Sequence, residues 1–341
     1  MSRRGEPGQV TAGRIDLHTH GLPRDLPPLG HRYAGDWPEL VATGPCSASM
    51  MIGGRHFRAL DDRCWDPQRR VADMNEDGVV LQVVSPIPVT FSYWLPANGV
   101  TELAQIQNEW LAGLVRDDPE HFAGLATVPL QAPEVAATMA VQATAELGLA
   151  GVEIGTNVDG APLDSPLLET FWATCEESGA LIFIHPWQVL GAERLRAYNL
   201  SYAVGNPAET AAAAATLVLG GVLDRHPRLR IVLAHGGGAF LALLPRLDQV
   251  AANLGEPGHT VRPSDYVRRF HYDSLVYDAG SAVQLIARAG ADRVVVGTDY
   301  PFPIAERPAG AAVDAAGLPA GDLSQVLTGT ARRLLAPPLH S

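Results

Sequence analysis

The 341-residue chain contains no lysine; all 25 of its basic residues are arginine. That single absence removes several chemistries. No Schiff base or pyridoxal-phosphate aldimine can form on a lysine, no Walker-type phosphate lysine exists, and no carbamylated lysine can bridge two metal ions. Cysteine is almost as scarce: Cys46, Cys64 and Cys175 are widely spaced, make no CxxC zinc pattern and no even disulfide set, and are expected to be reduced thiols. No apolar run reaches the roughly 18 residues of a membrane span. The start, "MSRRGEPGQVTAG", lacks an apolar signal region despite its arginine pair, so a cytoplasmic protein is expected. Charge is sparse (18%) and tilted to acid, with a formal net charge of -12. No basic face is left for nucleic-acid phosphates, and a small molecule is the expected partner.

What is present is a hydrophobic fraction of 47% on a chain long enough to bury a large core, as one α/β barrel or two smaller domains. Past residue 78, short β-branched runs alternate with helical patterns, the mark of parallel βαβ units. Eight strands are predicted: 14–20, 79–86, 122–130, 151–156, 181–186, 230–237, 270–276 and 293–299. Between them lie helices such as "APEVAATMAVQATAELG", with Pro near its start and Gly after its end, and the Ala-rich "NPAETAAAAATLVLGGVLD". The pattern predicts an α/β fold, a (β/α)8 TIM barrel whose site lies at the C-terminal strand ends. A doubly wound open sheet needs a Gly-rich phosphate turn after strand one, and "HTHGLPRDLP" is not one. One domain, 1–341, is expected, with an insertion at about 21–78 roofing the mouth. Within it "SASMMIGGRHFRAL" predicts a Gly-Gly hairpin, and "DPQRRVADMNEDG" a helix capped by Asp66, started by Pro67 and stopped by Gly78.

The polar residues fall where a barrel places its chemistry. His18 and His20 in "RIDLHTH" end strand one on one face, with Asp16 two further back; His185 ends strand five, His235 strand six and Asp299 strand eight. Each alone has an ordinary reading, His185 as a buried strand end and Asp299 as a turn former. Together His18, His20, His185 and Asp299 supply three imidazoles and a carboxylate, a set suited to Zn²⁺, with Fe²⁺, Co²⁺ or Mn²⁺ as alternatives. Without a lysine carbamate, one ion is expected. Glu153, in the fourth strand, is the nearby acidic group that remains as a substitute bridge, or as an acceptor behind the ligands, or as a buried partner for an arginine. His235, followed by three glycines, is either a fifth ligand or, as expected because a fourth nitrogen crowds the open position, the general acid/base that orients the metal water or passes its proton.

The order and spacing of "RIDLHTH", "HFRAL", "WDPQRRVADMNEDGV", "FIHPW", "LAHGGGAF", "PSDYVRRFHYDS" and "GTDYPFP" resemble the amidohydrolase superfamily. Within it they are similar to the metal-dependent decarboxylases typified by 2-amino-3-carboxymuconate-6-semialdehyde decarboxylase. The resemblance implies zinc on the residues matching His18, His20, His185 and Asp299, a histidine matching His235 acting on the metal water, and two substrate-carboxylate arginines matching Arg58 and Arg246. Arg246 lies eleven residues past His235 on a helix leaving the mouth, roughly 15 Å at the helical rise. In the resembled family that arginine enters from the neighbouring subunit, which implies a homodimer with shared sites. One stretch departs from the family: "QVLGAERLRAYNLSYAVGNP" replaces a Trp-containing, basic segment, so the substrate-facing wall is expected to differ.

The leading expectation is non-oxidative decarboxylation of an unsaturated or aromatic carboxylic acid, with a hydroxybenzoate-type acid as one alternative substrate. The alternative reaction is hydrolysis of an amide or lactone by the same metal site. A metal-holding barrel without activity is the third reading.

Overall fold

Eight short strands, each buried along most of its length, curl into a ring in the computed structural model, which describes residues 13–255 and 261–336. The N-terminal segment on which the signal-region reading falls, residues 1–12, lies outside them. Strand β1 (Arg14–Gly21) is followed by three antiparallel strands, β2 (Pro38–Gly44), β3 (Ser47–Ile52) and β4 (Arg55–Asp61), then by helix α1 (Pro67–Asp77) and β5 (Val79–Pro86). Helix α2 (Ala97–Asp117) leads to β6 (Phe122–Thr127), and α3 (Pro133–Ala145) to β7 (Gly151–Gly155), whose top carries the hairpin β8 (Asn157–Val158) and β9 (Ala161–Pro162). Then come α4 (Glu169–Ser178), β10 (Leu181–His185), α5 (Asn206–Leu219), α6 (Val222–Arg225), β11 (Arg230–Leu233), α7 (Phe240–Leu254), β12 (Phe270–Asp273), α8 (Ala279–Ala289) and β13 (Val294–Val295).

The barrel sheet runs β1-β5-β6-β7-β10-β11-β12-β13 with parallel pairing throughout. Bridges Asp16–Val296 and Thr19–Tyr300 join its last strand region to its first. All eight predicted strands are the barrel strands. The runs predicted to reach 130, 237, 276 and 299 stop at Thr127, Leu233, Asp273 and Val295, because at the mouth the backbone leaves the ladder to form the loops that carry the site. Inside the ring, Ile15, Leu17, Val83, Leu125, Leu181, Phe183, Val232 and Val295 form a packed plug, closed below by Ala331 and Leu334. A larger apolar layer lies between the strands and the surrounding helices.

The segment between β1 and β5 folds as its residues dictate. Asp66 accepts hydrogen bonds from the N–H groups of Gln68 and Arg69, Pro67 begins α1, and Gly78 ends it at φ 69°. Gly53 and Gly54, both at positive φ, make the two-residue turn between β3 and β4. That turn brings Phe57 and Arg58 of β4 over the barrel mouth, where they line a cavity with His185 and Asp299.

Alternation in β1 is broken. Pairing with β5 steps from Asp16–Gln82 to Thr19–Val84, so β1 carries one extra residue there. Ile15 and Leu17 face the plug, and the bulge then swings both His18 and His20 into the mouth. Asp16, expected on their face, is instead bonded by the Thr298 hydroxyl at 2.6 Å and stays out of the cluster.

Candidate active site

At the C-terminal ends of the barrel strands, one donor atom from each of His18, His20, His185 and Asp299 lies within 4.8 Å of all the others, and all four residues are buried. The outer nitrogen of each ring is engaged. His18 Nδ1 donates to Asp273 Oδ2 at 2.6 Å, His20 Nδ1 to the Pro86 carbonyl at 2.9 Å and His185 Nδ1 to the Pro186 carbonyl at 3.1 Å. Protonation at Nδ1 leaves three Nε2 lone pairs facing inward. His18 Nε2 and His20 Nε2 stand 3.1 Å apart, both are near Asp299 Oδ1 (3.6 and 3.3 Å), and His185 Nε2 is buried without any protein partner. Three lone pairs and a carboxylate aimed at one point repel one another unless a cation sits among them, so the donor set fits a single divalent metal.

The electrostatics favour neutral rings at His20 and His185 and a carboxylate at Asp299. Burial holds His20 below its ordinary value and His185 well below it, the neighbouring rings adding to the effect on His185. Burial also opposes a charged His18, but the Asp273 bond together with the charges of Asp273, Asp299 and Asp16 outweighs it and keeps that ring above its usual value. For Asp299 burial favours the neutral acid, and the bond and charges of His20 and His18 overcome it, so the group remains a carboxylate. Glu153, deeper in the barrel, contrasts with it. Burial lifts its carboxyl well above the usual range against the lowering effect of the Ser85 hydroxyl; Oε1 lies 3.7 Å from His20 Nδ1, outside the four-residue cluster.

His235 follows β11 in the left-handed region at φ 56°, and Asp299 is there too at φ 66°. Such strain on non-glycine residues persists only where the surroundings impose it. Here Asp273 does so: its carboxylate accepts the backbone N–H of His235 at 2.9 Å and of Gly236 at 2.8 Å. The His235 ring centroid stands 5.2 Å from that of His18 and 5.1 Å from that of His185, and its Nδ1 has no hydrogen-bond partner among the described residues. Burial and the adjacent His18 push its pKa down to about 4, so the free ring is neutral near pH 7.

Two chambers meet at the cluster. One, of about 490 Å³, is walled by Phe57, Arg58, Trp187 and Phe302 beside His185 and Asp299. The other, of about 910 Å³, is entered past Tyr198, Tyr277 and Arg288 and reaches His235. Tyr202, Asn199, Asn206 and Ile304 belong to both. Arg58 donates to the Tyr202 hydroxyl at 2.9 Å and lies 4.1 Å over the Phe302 ring, which in turn stacks on His20 at 5.4 Å. Its guanidinium is thereby tied to the ligand set through one aromatic ring. Arg246 is exposed on α7 and lines neither chamber of its own chain.

A family model described as amidohydrolase matches residues 15–336. The chain belongs to the amidohydrolase family. This amidohydrolase is 40% identical over 297 residues to the 2-amino-3-carboxymuconate-6-semialdehyde decarboxylase of Dictyostelium discoideum, covering 86% of this chain and 83% of that protein. It is 31% identical to the gamma-resorcylate decarboxylase of Rhodococcus jostii, covering 74% and 82% of the two chains. Among solved structures, 5-carboxyvanillate decarboxylase from Sphingomonas paucimobilis superposes with a TM-score of 0.80 at 26% identity, covering 95% of this chain and 98% of that one.

Sequence reasoning had not singled out three supports of the site. Asp273 ends β12 in "FHYDS", and the rule that found the other strand-end polar residues applies to it equally. Arg70, fully buried, braces the end of β1 by donating to the His20 carbonyl at 2.8 Å and to Thr19 Oγ1 at 2.9 Å; nothing in "PQRRVADMN" distinguishes it from the exposed Arg69. Tyr202 sits on a π-helical turn, Ser201–Gly205, inside the segment that departs from the family pattern.

Proposed function

We propose that the protein is a metal-dependent, non-oxidative decarboxylase of an unsaturated or aromatic carboxylic acid, built as one barrel domain roofed by the 21–78 segment. The observation that carries this reading is the inward convergence of His18, His20 and His185 Nε2 and Asp299 beside a chamber that presents the Arg58 guanidinium. The 40% identity to a 2-amino-3-carboxymuconate-6-semialdehyde decarboxylase supports it.

His18, His20, His185 and Asp299 would hold the metal, with zinc as our reading and manganese as the alternative; manganese is bound in the structure of a dihydroxybenzoic acid decarboxylase from Polaromonas sp.. When bound, it supplies positive charge where negative charge develops on the substrate. Arg58 holds a substrate carboxylate with its planar fork, and Trp187, Phe57, Ile87 and Val89 keep the chamber apolar. The electrons of the broken C–C bond stay on carbon as CO2 leaves, and a proton takes the vacated position. His235 delivers it: a ring that is neutral near pH 7 first takes a proton from solvent and then gives it to carbon.

Arg246 is assigned to the site of a second copy, in a cytoplasmic homodimer. Its exposure on α7 and its absence from both chambers of its own chain are what that assignment needs, and the 910 Å³ chamber leaves room for an entering side chain. A hydroxybenzoate-type substrate is the second reading, favoured by the 31% identity to a gamma-resorcylate decarboxylase.

The test is CO2 release by the Zn²⁺- or Mn²⁺-loaded enzyme from 2-amino-3-carboxymuconate-6-semialdehyde generated in situ, and in parallel from 2,6-dihydroxybenzoate. Release from the first supports the leading reading and release from the second alone supports the alternative. No CO2 from either, with turnover of amides or lactones, overturns both.

A further inference from the structure

We propose that Asp273 is a positioning residue that locks the metal-ligand set and His235 into one mechanical unit, so that His235 is correctly placed only when His18 is presented as a ligand. Asp273 is wholly buried and accepts four hydrogen bonds. Oδ2 takes the Nδ1–H of His18 at 2.6 Å and the backbone N–H of His235 at 2.9 Å. Oδ1 takes the backbone N–H groups of Gly236 at 2.8 Å and Leu275 at 3.1 Å. One oxygen therefore fixes the tautomer that turns the His18 lone pair to the metal and the left-handed backbone that aims His235.

Neighbouring residues leave Asp273 little freedom to do otherwise. Gly297 passes so close that a Cβ there would stand 2.7 Å from the Asp273 Cβ and 2.8 Å from the His18 Cβ. Gly236, at φ 62°, offers its N–H to the carboxylate in a conformation that favours glycine. An amide in place of the carboxylate cannot accept at both ends. With its nitrogen toward His18, it meets the Nδ1–H and the His235 N–H, and His18 escapes only by moving its proton to Nε2, which removes a ligand lone pair. With its nitrogen the other way, the Gly236 and Leu275 N–H groups lose their acceptor and the loop holding His235 is released.

The proposal rests on His235 being the proton carrier. It is tested with Asp273→Asn in the full-length enzyme. Zn²⁺ affinity, measured by competition with a chromophoric chelator, is expected to fall roughly 10- to 100-fold. At saturating Zn²⁺, kcat is expected to remain at least about 10-fold below wild type with KM changed less than about threefold, because added metal does not rebuild the His235 loop. Full recovery of kcat with metal confines Asp273 to His18 and overturns the coupling; wild-type affinity and kcat overturn the proposal outright. Should the variant not fold, the wild-type holoenzyme labelled with ¹⁵N-histidine decides the matter. A slowly exchanging Nδ1–H on His18 is expected, and an Nε2-protonated His18 overturns the proposal. His235→Asn keeps the two readings apart: wild-type turnover there refutes the proton carrier, while the affinity and tautomer measurements still report on Asp273.

Discussion

Replacing Arg58 separates a decarboxylase reading from a generic metal-hydrolase reading. Its guanidinium donates from Nη2 to the Tyr202 hydroxyl at 2.9 Å and lies 4.1 Å over the Phe302 ring, and the second Nη2–H, paired with a neighbouring guanidinium N–H, would form the fork on a bound carboxylate. A hydrogen bond to a charged group is worth about 1.5–3 kcal/mol, and a factor of ten in rate corresponds to about 1.36 kcal/mol. Arg58→Ala is therefore expected to lower kcat/KM for decarboxylation roughly 10- to 150-fold. The loss falls mainly on KM if Arg58 holds a carboxylate that stays on the substrate, since that contact is equal in ground and transition states. Arg58→Lys keeps the charge and loses the planar fork, so its kcat/KM falls between those of Ala and wild type. The assay is initial CO2 release at several substrate concentrations, with zinc content measured on the same samples. An Arg58→Ala enzyme with kcat/KM within about threefold of wild type and full metal content would refute the assignment.

Three further outcomes are expected. His235→Asn should cut kcat by roughly 10²- to 10⁴-fold at unchanged metal content; a drop of less than tenfold removes His235 from proton transfer. Chelator treatment should abolish turnover and lower the melting temperature by on the order of 5 °C, since ligand at 100 times its dissociation constant adds about 2.7 kcal/mol; metal analysis should return one ion per chain, and two would bring Glu153 into the site. His271, on β12 and away from the cluster, has its pKa lowered to about 4 by burial and then by Arg293, from an ordinary 6.5. Its unfolded state thus binds the extra proton first, so stability falls as pH drops from about 6.5 toward 4, by up to about 3 kcal/mol. Urea unfolding across that range should show His271→Gln with a shallower loss, and parallel curves would exclude His271 as the source.

The convergence of the four candidate ligands was legible in the sequence because three conditions coincided. Each of the four lies at or just past the end of a barrel strand, each is a residue type that burial without a partner would penalise, and parallel pairing forces all strand ends to one side of the ring. His18, His20, His185 and Asp299 meet all three, and the structure brings them together. The alternation rule failed for Asp16, because a single extra residue in β1 changes which face follows it, and no local pattern in "RIDLHTH" marks a bulge. The Arg58–Tyr202 bond spans 144 positions between β4 and a π-helical turn, so only the folded chain could reveal it. Arg70 was missed for the converse reason. Its role is to satisfy the His20 carbonyl and the Thr19 hydroxyl at the end of β1 together with the Arg63 carbonyl in the turn before α1, which any arginine in a helix first turn has the donors to do.

Asp273 shows where reading strand ends for side-chain chemistry stops short. Its carboxylate touches no substrate chamber and spends three of its four hydrogen bonds on backbone N–H groups. A residue of that kind carries no motif of its own; its signature is a demand in its neighbours, a glycine at 297 that must be small and a histidine at 235 held at positive φ. Those demands lie on β11, β12 and the segment after β13, so the site depends on three consecutive strand ends being in register. On the proposed role of Asp273, metal affinity and proton delivery by His235 are not separately adjustable in this barrel. Substrate preference is, because Arg58 and Tyr202 sit on the roof and on the segment that departs from the family pattern, away from that shared carboxylate.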